Sequence, residues 1–393
     1  MIRRVTICTA ALLAVALLGG CSPGARSAGP PARATATRES SAALASATAS
    51  AQAASSTLAT AAESATATSS AEPTAPVSGV VTIGWVGDTT PGSRYGMPPQ
   101  HGRALFSKVR AELEVPDIMV GNLEGTFGSG EKSKGSSGTL FSFQAPPAYA
   151  EALSWAGFDL MNLANNHAHD FLEAGMASTH RALKTAGVAY TGLPGQITVV
   201  ERKGVRVAFI GAAPYSWSQS LADISGTAAL VRHAHKDADV VIVVMHAGAE
   251  GSDKTHTPKG AEHAYGEFRG SPRAFAHAMI DAGASAVLGS GPHVVRGIER
   301  YKGRLIAYSL GDFAGWGNFG TSGTLGLSGL LTIRIDRQGD VLGGRWLSLR
   351  LARSGAPAVD PRRSSGTLVR KLSRRDFTDP WPIASDGSLA PGR

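Results

Sequence analysis

Cysteine is almost absent from this sequence. Only two occur in 393 residues, Cys8 and Cys21, and both lie within the first 21 positions. This excludes a disulfide framework and a thiolate metal site from the remainder of the chain. Any metal ion bound there must be held by His, Asp, Glu or Asn side chains.

Motifs of several common enzyme classes are also missing. The sequence has no G-x-x-x-x-G-K-[ST] and no G-x-G-x-x-G joining a strand to a helix, which argues against P-loop and Rossmann nucleotide sites. It has no G-x-S-x-G elbow of a serine hydrolase. The net charge of +8 favours anionic partners. Without a zinc-finger pattern, a basic helix or a basic run with interleaved aromatics, we expect no nucleic acid among them.

The N-terminal 20 residues have the pattern of a secretory signal peptide. Two arginines precede an uncharged apolar run over residues 5–18, which is too short to span a bilayer comfortably. The stretch LGGC, which ends at Cys21, resembles a bacterial lipobox, and this resemblance implies cleavage before Cys21 and lipidation of that residue. Several acyl chains give stable anchoring. We therefore expect an extracytoplasmic lipoprotein anchored to the cell membrane, with an uncleaved anchor helix as the alternative.

The remaining chain divides into three segments of different composition. Residues 21–78 are rich in Ala, Ser, Thr and Pro and cannot bury enough surface to offset the entropy of ordering, so we expect a disordered tether. Over residues 79–352 apolar strands alternate with helical patterns, which predicts an α/β domain. Residues 353–393 include RRSSGTLVRKLSRR and are predicted to form a basic, poorly ordered tail. The helical patterns cover residues 102–114, 148–156, 171–186, 223–236 and 272–282.

Polar clusters follow five apolar runs at the point where each predicted strand ends. In chain order they contain Asp88, Asn122 with Glu124, Asn165 with Asn166 and His167, His246, and His293. Ligand sites of α/β sheets gather outside the carboxyl ends of the strands. The sequence therefore predicts that these side chains converge on one site.

Some of these residues also have a purely structural interpretation. Asp88 can satisfy its own backbone in a turn, and an isolated histidine such as His246 is often a satisfied core residue. Asp170 and Glu173 fit a capping box for the helix that follows. Asn166 and His167 precede that helix and have no such role, so the stretch NNHAHD favours a functional site.

The chemistry that this mixture of side chains suits is metal-assisted hydrolysis. Carboxylate, amide oxygen and imidazole are preferred by hard and borderline divalent ions. Two such ions would polarise a phosphoryl or acyl oxygen. His167, which is next to the expected ligand Asn166, would then act as a general acid or stabilise the transition state.

Five motifs carry a resemblance to a known family. In order along residues 80–335 they are GDTTPGS, VGNLEGT, LANNHAHDF, VVMHAGAE and GPHVVRGIERYKGRLIAYSLGDF. Together they resemble the CapA family, which is named for poly-γ-glutamate capsule synthesis and is related to the calcineurin-like metallophosphatases. The resemblance implies an α/β fold of the metallophosphatase type, in which a two-sheet β-sandwich is flanked by helices.

The resemblance also implies a divalent metal centre, with one or two ions of Mn²⁺, Fe²⁺ or Zn²⁺. The implied metal ligands are Asp88, Glu124, Asn166, His246 and His293. The candidate catalytic residues are His167 and Asp170, and supporting positions around the metal or the substrate are Asn122, Asn165, Glu250 and Asp312. Two departures bear on this site: Ser290 stands where the family usually has a second histidine, and Asp312 replaces an asparagine and adds a carboxylate.

The predicted function is that of a cell-surface lipoprotein in the synthesis or processing of a capsular polyanion such as poly-γ-glutamate. We expect an anionic envelope polymer as its partner, together with the membrane and a capsule synthesis or export complex. His167 and His246 favour a metal-dependent hydrolase. Ser290 favours the alternative of a non-catalytic polymer-binding or export component, and a general metallophosphoesterase is the third possibility.

Overall fold

The computed structural model describes residues 79–135 and 141–392. The predicted signal peptide 1–20, the lipidation site at Cys21 and the predicted tether 21–78 lie outside these residues. Within the two described ranges, no helix combines the length and the apolar character that crossing a bilayer requires.

The described residues form nineteen strands and seven α-helices. The strands are β1 Val80–Thr90, β2 Ile118–Leu123, β3 Thr126–Phe127, β4 Gln144–Ala145, β5 Leu160–Asn162, β6 Ala189–Thr191, β7 Thr198–Arg202, β8 Val205–Ala212, β9 Val240–His246, β10 His263–Ala264, β11 Glu267–Phe268, β12 Ala286–Ser290, β13 Ile298–Tyr301, β14 Arg304–Ala307, β15 Asp312–Gly315, β16 Leu327–Asp336, β17 Val341–Leu351, β18 Pro357–Val359 and β19 Ser388–Leu389. The helices are α1 Arg103–Phe106, α2 Arg110–Leu113, α3 Glu151–Ala156, α4 Leu172–Ala186, α5 Ile224–Ala234, α6 Pro272–Asp281 and α7 Ser364–Asp376, and short 3₁₀ turns cover Gln100–Gly102 and Pro147–Ala150. Each predicted helical pattern contains at least one of these helices.

Two large sheets carry most of the strands. The first has the order β18-β17-β16-β1-β2-β5-β6, with β15 also paired to β1 and β19 to β17. The second has the order β13-β14-β12-β9-β8-β7. Each sheet contains parallel pairs, including β1 with β2 and β9 with β12, whereas β1 pairs with β16 in the antiparallel sense. Parallel neighbours end at the same edge of a sheet, so their carboxyl ends are adjacent in space.

The facing sides of the two sheets form the centre of the hydrophobic core. Side chains at alternate positions of a strand point to opposite faces. In one buried cluster, Ile83 and Trp85 of β1 pack with Ile242 and Val244 of β9. Burying each side chain of this size contributes about 1.5–3 kcal/mol. The sheets are therefore the two layers of a sandwich.

Helices cover the outer faces of the sandwich. Val241 and Val243 of β9, which point away from the centre, pack with Val231 of α5 and Phe275 of α6. On the other side, α1, α3 and α4 contribute to a cluster that contains Met119 of β2. Strands such as β9 are buried on both faces, which explains their continuous apolar sequences. The prediction of an α/β two-sheet sandwich flanked by helices is confirmed.

The prediction of a poorly ordered tail after residue 352 is wrong. Strands β18 and β19 extend the first sheet by pairing with β17, and α7 lies against the sandwich with Val369 and Leu372 buried. Trp381 is also buried in the central cluster. A few apolar side chains at helical spacing are sufficient to bind this segment to the core, although its composition is dominated by basic and small residues.

The Val369→Ala variant is expected to lower the free energy of unfolding by about 2 kcal/mol. Val369 is fully buried, so the change removes buried methyl groups and leaves a cavity between α7 and the sheets. Chemical denaturation of both proteins measures the difference. Thr367→Ala, at an exposed position of the same helix, is the control and should change stability by less than about 0.5 kcal/mol. Equal stabilities of the Val369→Ala variant and the wild type would contradict the packing of α7 on the core.

Candidate metal centre

The register of the parallel strands places several of the polar residues in one layer. Asp88 on β1 is opposite Asn122 on β2 and Asp312 on β15. In the second sheet, His246 on β9 is opposite Ser290 on β12. The two sheets meet at this edge, because the indole nitrogen of Trp85 donates a hydrogen bond to the carbonyl of Gly289 at 3.1 Å.

Asp88 occupies the junction between the two sheets. Its Oδ1 accepts a hydrogen bond from Asn122 Nδ2 at 2.8 Å, and its Oδ2 accepts one from the backbone of Gly291 at 3.2 Å. The close backbone approach at Gly291 requires a φ of 113°, which glycine adopts readily. His246 Nδ1 lies 3.5 Å from Oδ1 and His293 Nδ1 lies 3.4 Å from Oδ2. Burial acts to raise the pKa of Asp88, but its interactions with both imidazoles outweigh burial and lower that pKa.

His293 connects several carboxylates at once. Its Nδ1 lies 2.7 Å from Asp312 Oδ1, and its Nε2 lies 3.7 Å from Glu124 Oε1 and 3.7 Å from Glu250 Oε2. Burial acts to lower the pKa of His293, but the carboxylates of Glu124, Asp312 and Asp88 raise it well above its ordinary value. Burial raises the pKa of Asp312 to about 7. One imidazole cannot neutralise this much buried negative charge.

Glu124 is the least satisfied residue of the group. It is fully buried, and neither carboxylate oxygen has a hydrogen-bond partner among the described residues. Its Oε1 lies 3.8 Å from His246 Nε2, a buried nitrogen that also lacks a hydrogen-bond partner there. Burial raises the pKa of Glu124 well above its usual range. Burying a carboxylate that has neither a hydrogen-bond donor nor a positive charge beside it destabilises the folded protein.

These residues fit a divalent cation. Ligand atoms of Asp88, Glu124, His293 and Asp312 all lie within 4.8 Å of one another, and His246 Nε2 faces Glu124 from the side. Carboxylates and imidazoles are ligands of borderline divalent ions. A bound cation would satisfy the two oxygens of Glu124 and the free nitrogen of His246, which no protein group in the described ranges satisfies.

The structure brings together four of the five ligands that the sequence suggested, namely Asp88, Glu124, His246 and His293. The fifth, Asn166, lies in the adjacent loop, and its buried Oδ1 has no hydrogen-bond partner among the described residues. The family resemblance implies a supporting position for Asp312, but in the structure its carboxylate lies among the ligand atoms of Asp88, Glu124 and His293. Ser290 contacts His246, with Oγ 3.1 Å from Nδ1. The roles of all these residues as ligands stay predictions.

A network of asparagines holds the ligand loops together. Asn122 Oδ1 accepts hydrogen bonds from Asn162 Nδ2 at 2.9 Å and from Asn165 Nδ2 at 3.2 Å. Asn165 Oδ1 in turn accepts from the backbone nitrogen of His167 at 3.0 Å. Sequence reasoning missed Asn162, although an asparagine inside an otherwise apolar strand was a usable signal. The network links the loop of Asn166 and His167 to Asp88.

His167 and Asp170 form a pair beside this network. His167 Nδ1 lies 2.8 Å from Asp170 Oδ2, and that oxygen also accepts a hydrogen bond from the backbone of Phe143 at 2.7 Å. The other oxygen, Oδ1, lies 2.6 Å from Lys134 Nζ. The structure places no side-chain contact between His167 and the carboxylate group, within the part of the chain that it describes.

The capping-box interpretation of Asp170 and Glu173 is wrong. Helix α4 begins at Leu172, and its N-cap is Phe171, which has no side-chain capping bond. The carboxylate of Asp170 instead contacts His167, Lys134 and the Phe143 backbone. Tertiary ion pairing has therefore displaced the local capping pattern.

Glu250 lies at the rim of the group and is paired. Its Oε1 is 2.5 Å from Arg269 Nη1, and Arg269 Nη2 is 3.2 Å from Glu267 Oε2. Arg269 is almost fully buried and places positive charge next to the carboxylates. Sequence reasoning did not single it out, because no motif marks an arginine that directly follows the short strand β11.

The sequence of this chain is similar to those of known proteins. A family described as "Bacterial capsule synthesis protein PGA_cap" matches residues 82–315. "Capsule biosynthesis protein CapA" of Bacillus anthracis is 30% identical over 238 residues, which cover 54% of this chain and 54% of that protein. "PGA biosynthesis protein CapA" of Bacillus subtilis (strain 168) is 28% identical over 260 residues, which cover 60% of this chain and 64% of that protein. The chain thus spans between about half and two thirds of these relatives.

A solved structure also shares similarity with this fold. It is a putative 5'-nucleotidase from Staphylococcus aureus in complex with alpha-ketoglutarate, with a TM-score of 0.42 and 12% identity, covering 75% of this chain and 58% of that one. A similarity of this strength carries no argument about function.

Proposed function

Since the chain belongs to the bacterial capsule synthesis protein family PGA_cap, we propose that it acts in the synthesis or processing of a capsular polyanion. Poly-γ-glutamate is the polymer that we expect, because a relative is named for the biosynthesis of PGA. The net charge of +8 supports an anionic partner. The protein would work with a capsule synthesis or export complex at the membrane.

The bare carboxylate of Glu124 is the observation that carries an enzymatic role. Buried polar atoms are normally hydrogen-bonded, but both carboxylate oxygens of Glu124 and Nε2 of His246 lack a partner among the described residues. A protein that only binds a polymer does not require such a group of atoms. We assign Asp88, Glu124, His246 and His293, with Asp312 beside them, to holding Mn²⁺, Fe²⁺ or Zn²⁺. Such an ion supplies Lewis-acid polarisation of a phosphoryl or acyl oxygen.

His167 is the residue that we assign to proton transfer. Asp170 contacts Nδ1 at 2.8 Å, which fixes the orientation of the ring and leaves Nε2 to exchange a proton with the substrate. Lys134 balances the charge of Asp170 from the other side. The reaction class is hydrolysis of an acyl or phosphoryl bond in an anionic polymer.

Activity of the metal-loaded chain on a panel of γ-glutamyl polymers and phosphoesters tests this function. We expect turnover of the γ-glutamyl polymer that a chelator removes and that added Mn²⁺, Fe²⁺ or Zn²⁺ restores. Turnover of phosphoesters alone would favour a general metallophosphoesterase. Polymer binding without any turnover would favour a non-catalytic component, which the weak ligand Ser290 beside His246 supports.

We also propose that the protein is an extracytoplasmic lipoprotein attached through Cys21. This proposal is supported by the order of the first 21 positions, in which basic residues are followed by an apolar run and then by small residues before Cys21. A lipid anchor followed by the segment 22–78 would allow the domain to work at the cell surface, where a capsular polymer is assembled.

The Cys21→Ser variant is expected to leave the membrane fraction and appear in the soluble fraction. Without the thiol no acyl chain can be attached, and the apolar run over residues 5–18 is too short to hold the chain alone. Fractionation followed by immunoblotting measures the shift. Cys8→Ser is the matched control and should stay membrane-bound. Retention of a cleaved Cys21→Ser variant in the membrane would contradict the lipoprotein assignment.

A further inference from the structure

An open cavity with basic and apolar walls lies beside α7. Its volume is about 500 Å³. Trp381, Ile383 and Leu389 supply apolar surface, and Arg370 and Arg374 line the cavity from one face of α7. The two arginines are one helical turn apart, so they lie on the same face of α7.

The cavity is separate from the candidate metal centre. Leu389 on β19 is opposite Gly344 on β17, Gly344 is opposite Ile333 on β16, and Ile333 is opposite Ile83 on β1. Ile83 precedes Asp88 by five residues on the same strand. That separation corresponds to about 17 Å along the strand direction. A ligand in the cavity therefore does not reach the carboxylate group unless it is an extended molecule.

Basic side chains of α7 have no acidic partner within the described residues. No ion pair is formed there by Arg370, Lys371, Arg374 or Arg375; the described pairs involve other residues. Arg370 makes only weak contacts within the helix, at 3.2 Å to the carbonyl of Gly366 and 3.3 Å to Thr367 Oγ1. The positive charge of this face is therefore available to a ligand.

The acidic residues that follow these cations are already engaged elsewhere. Asp376 Oδ1 lies 2.7 Å from His256 Nδ1, and Asp379 Oδ1 lies 2.8 Å from Arg300 Nη2. Neither carboxylate is thus free to neutralise α7. This surface belongs to the segment after residue 352 and lies beyond residues 82–315, which the family description covers.

We infer that this cavity binds a stretch of a carboxylate polymer, as a second binding place for the polyanion of the proposed function, on which the inference rests. Guanidinium groups form bidentate pairs with carboxylates, and Arg370 and Arg374 present two of them in a row. The methylene groups of a γ-glutamyl chain match the apolar surface of Pro382 and Ile383, which line the cavity at more accessible positions. The polymer chemistry therefore fits both kinds of surface in the cavity.

A lipid bilayer fits the cavity less well than a polymer does. A bilayer surface needs projecting apolar side chains that insert between the lipids. Trp381 and Leu389 are instead buried, at 2% and 5% exposure, and form the wall of a concave site. An extended chain can enter such a site, whereas a flat surface cannot.

The test compares polymer binding by the full chain and by the double variant Arg370→Gln with Arg374→Gln. Titration calorimetry with poly-γ-glutamate at low salt measures the affinity, and vesicles of phosphatidylglycerol are the second probe. The matched control is Arg232→Gln with Lys236→Gln, which removes the same charge at the same spacing from exposed positions on and just after α5. Thermal unfolding of every variant verifies that the fold is retained.

We expect the Arg370/Arg374 double variant to bind the polymer at least about tenfold more weakly, because two charge-assisted contacts are lost. The Arg232/Lys236 control should bind the polymer as the wild type does, and the metal content of both double variants should equal that of the wild type. An equal loss in the control would overturn the inference in favour of unspecific charge attraction, and arginine-dependent binding of vesicles but not of polymer would overturn it in favour of a membrane surface. If the double variant binds polymer as the wild type does, the inference fails while the proposed function stands. If the wild type binds no polymer, the polyanion part of the proposed function fails as well.

Discussion

Replacing Glu124 with glutamine is expected to weaken the binding of a divalent ion by at least about 100-fold. Glu124 supplies two buried oxygens that no hydrogen-bond donor in the described chain satisfies, and glutamine keeps the shape but removes the charge. Mutation of a residue that only orients a metal ligand typically lowers metal affinity by about 10- to 100-fold. Loss of a ligand itself should lower the affinity further. Titration of the chelator-treated protein with Mn²⁺ or Zn²⁺ measures the change.

The same variant is expected to be more stable than the wild type when no metal is present. Glu124 is buried beside Asp88 and Asp312, and these carboxylates together with burial raise its pKa. Neutralising it removes a repulsion between carboxylates that the imidazole of His293 opposes only in part. Adding metal should then raise the melting temperature of the wild type and leave the variant almost unchanged.

Glu173→Gln is the matched control for this experiment. Its side chain is 86% exposed and lies 3.3 Å from His169, away from the carboxylate group, so we expect neither metal affinity nor stability to change. A Glu124→Gln variant that keeps the affinity of the wild type would show that the carboxylate group is not a metal site. A metal-free variant less stable than the wild type would show that Glu124 has a partner of its own.

The position of the site could be predicted because strand order and site geometry are coupled. Asp88, Glu124, His246 and His293 each follow an apolar run, and the carboxyl ends of parallel strands meet at one edge. Asp312 could not be placed in this way. It enters the group because β15 pairs with β1 in parallel, a contact between residues more than 200 positions apart that no local pattern reports.

The errors of the sequence interpretation have a common physical cause. A local sequence pattern reports only on residues that are close in the sequence. The fold also places residues from distant parts of the chain in contact with one another. Asp170 fits a helix cap locally, but Lys134 and the backbone of Phe143 bind its carboxylate from far along the chain. The C-terminal segment is mostly polar, yet Val369 and Trp381 pack in the central core. In both cases a tertiary contact outweighed a local preference.

The His167→Ala variant is expected to lose turnover by about 10²–10⁴-fold, the usual contribution of a general acid or base. His167 is oriented by Asp170 through a 2.8 Å contact. Among the described residues, its link to the carboxylate group is the asparagine network. Metal content should therefore stay at the level of the wild type. Steady-state kinetics on the substrate of the wild type and metal analysis, carried out side by side, measure both quantities.

Two further variants separate proton transfer from a general disturbance of the loop. Asp170→Asn keeps the size of the residue that orients His167 but removes its charge, so turnover should fall by less than in His167→Ala. His169→Ala changes a neighbouring histidine that stacks on Trp217 at 4.8 Å, and it should alter neither turnover nor metal content. If His167→Ala lost the ion as completely as Glu124→Gln does, His167 would be a ligand and the proton would have to come from another residue. The asparagine network would then serve to hold a ligand in place, since Asn165 binds the backbone of His167 and joins it to Asn122 and hence to Asp88.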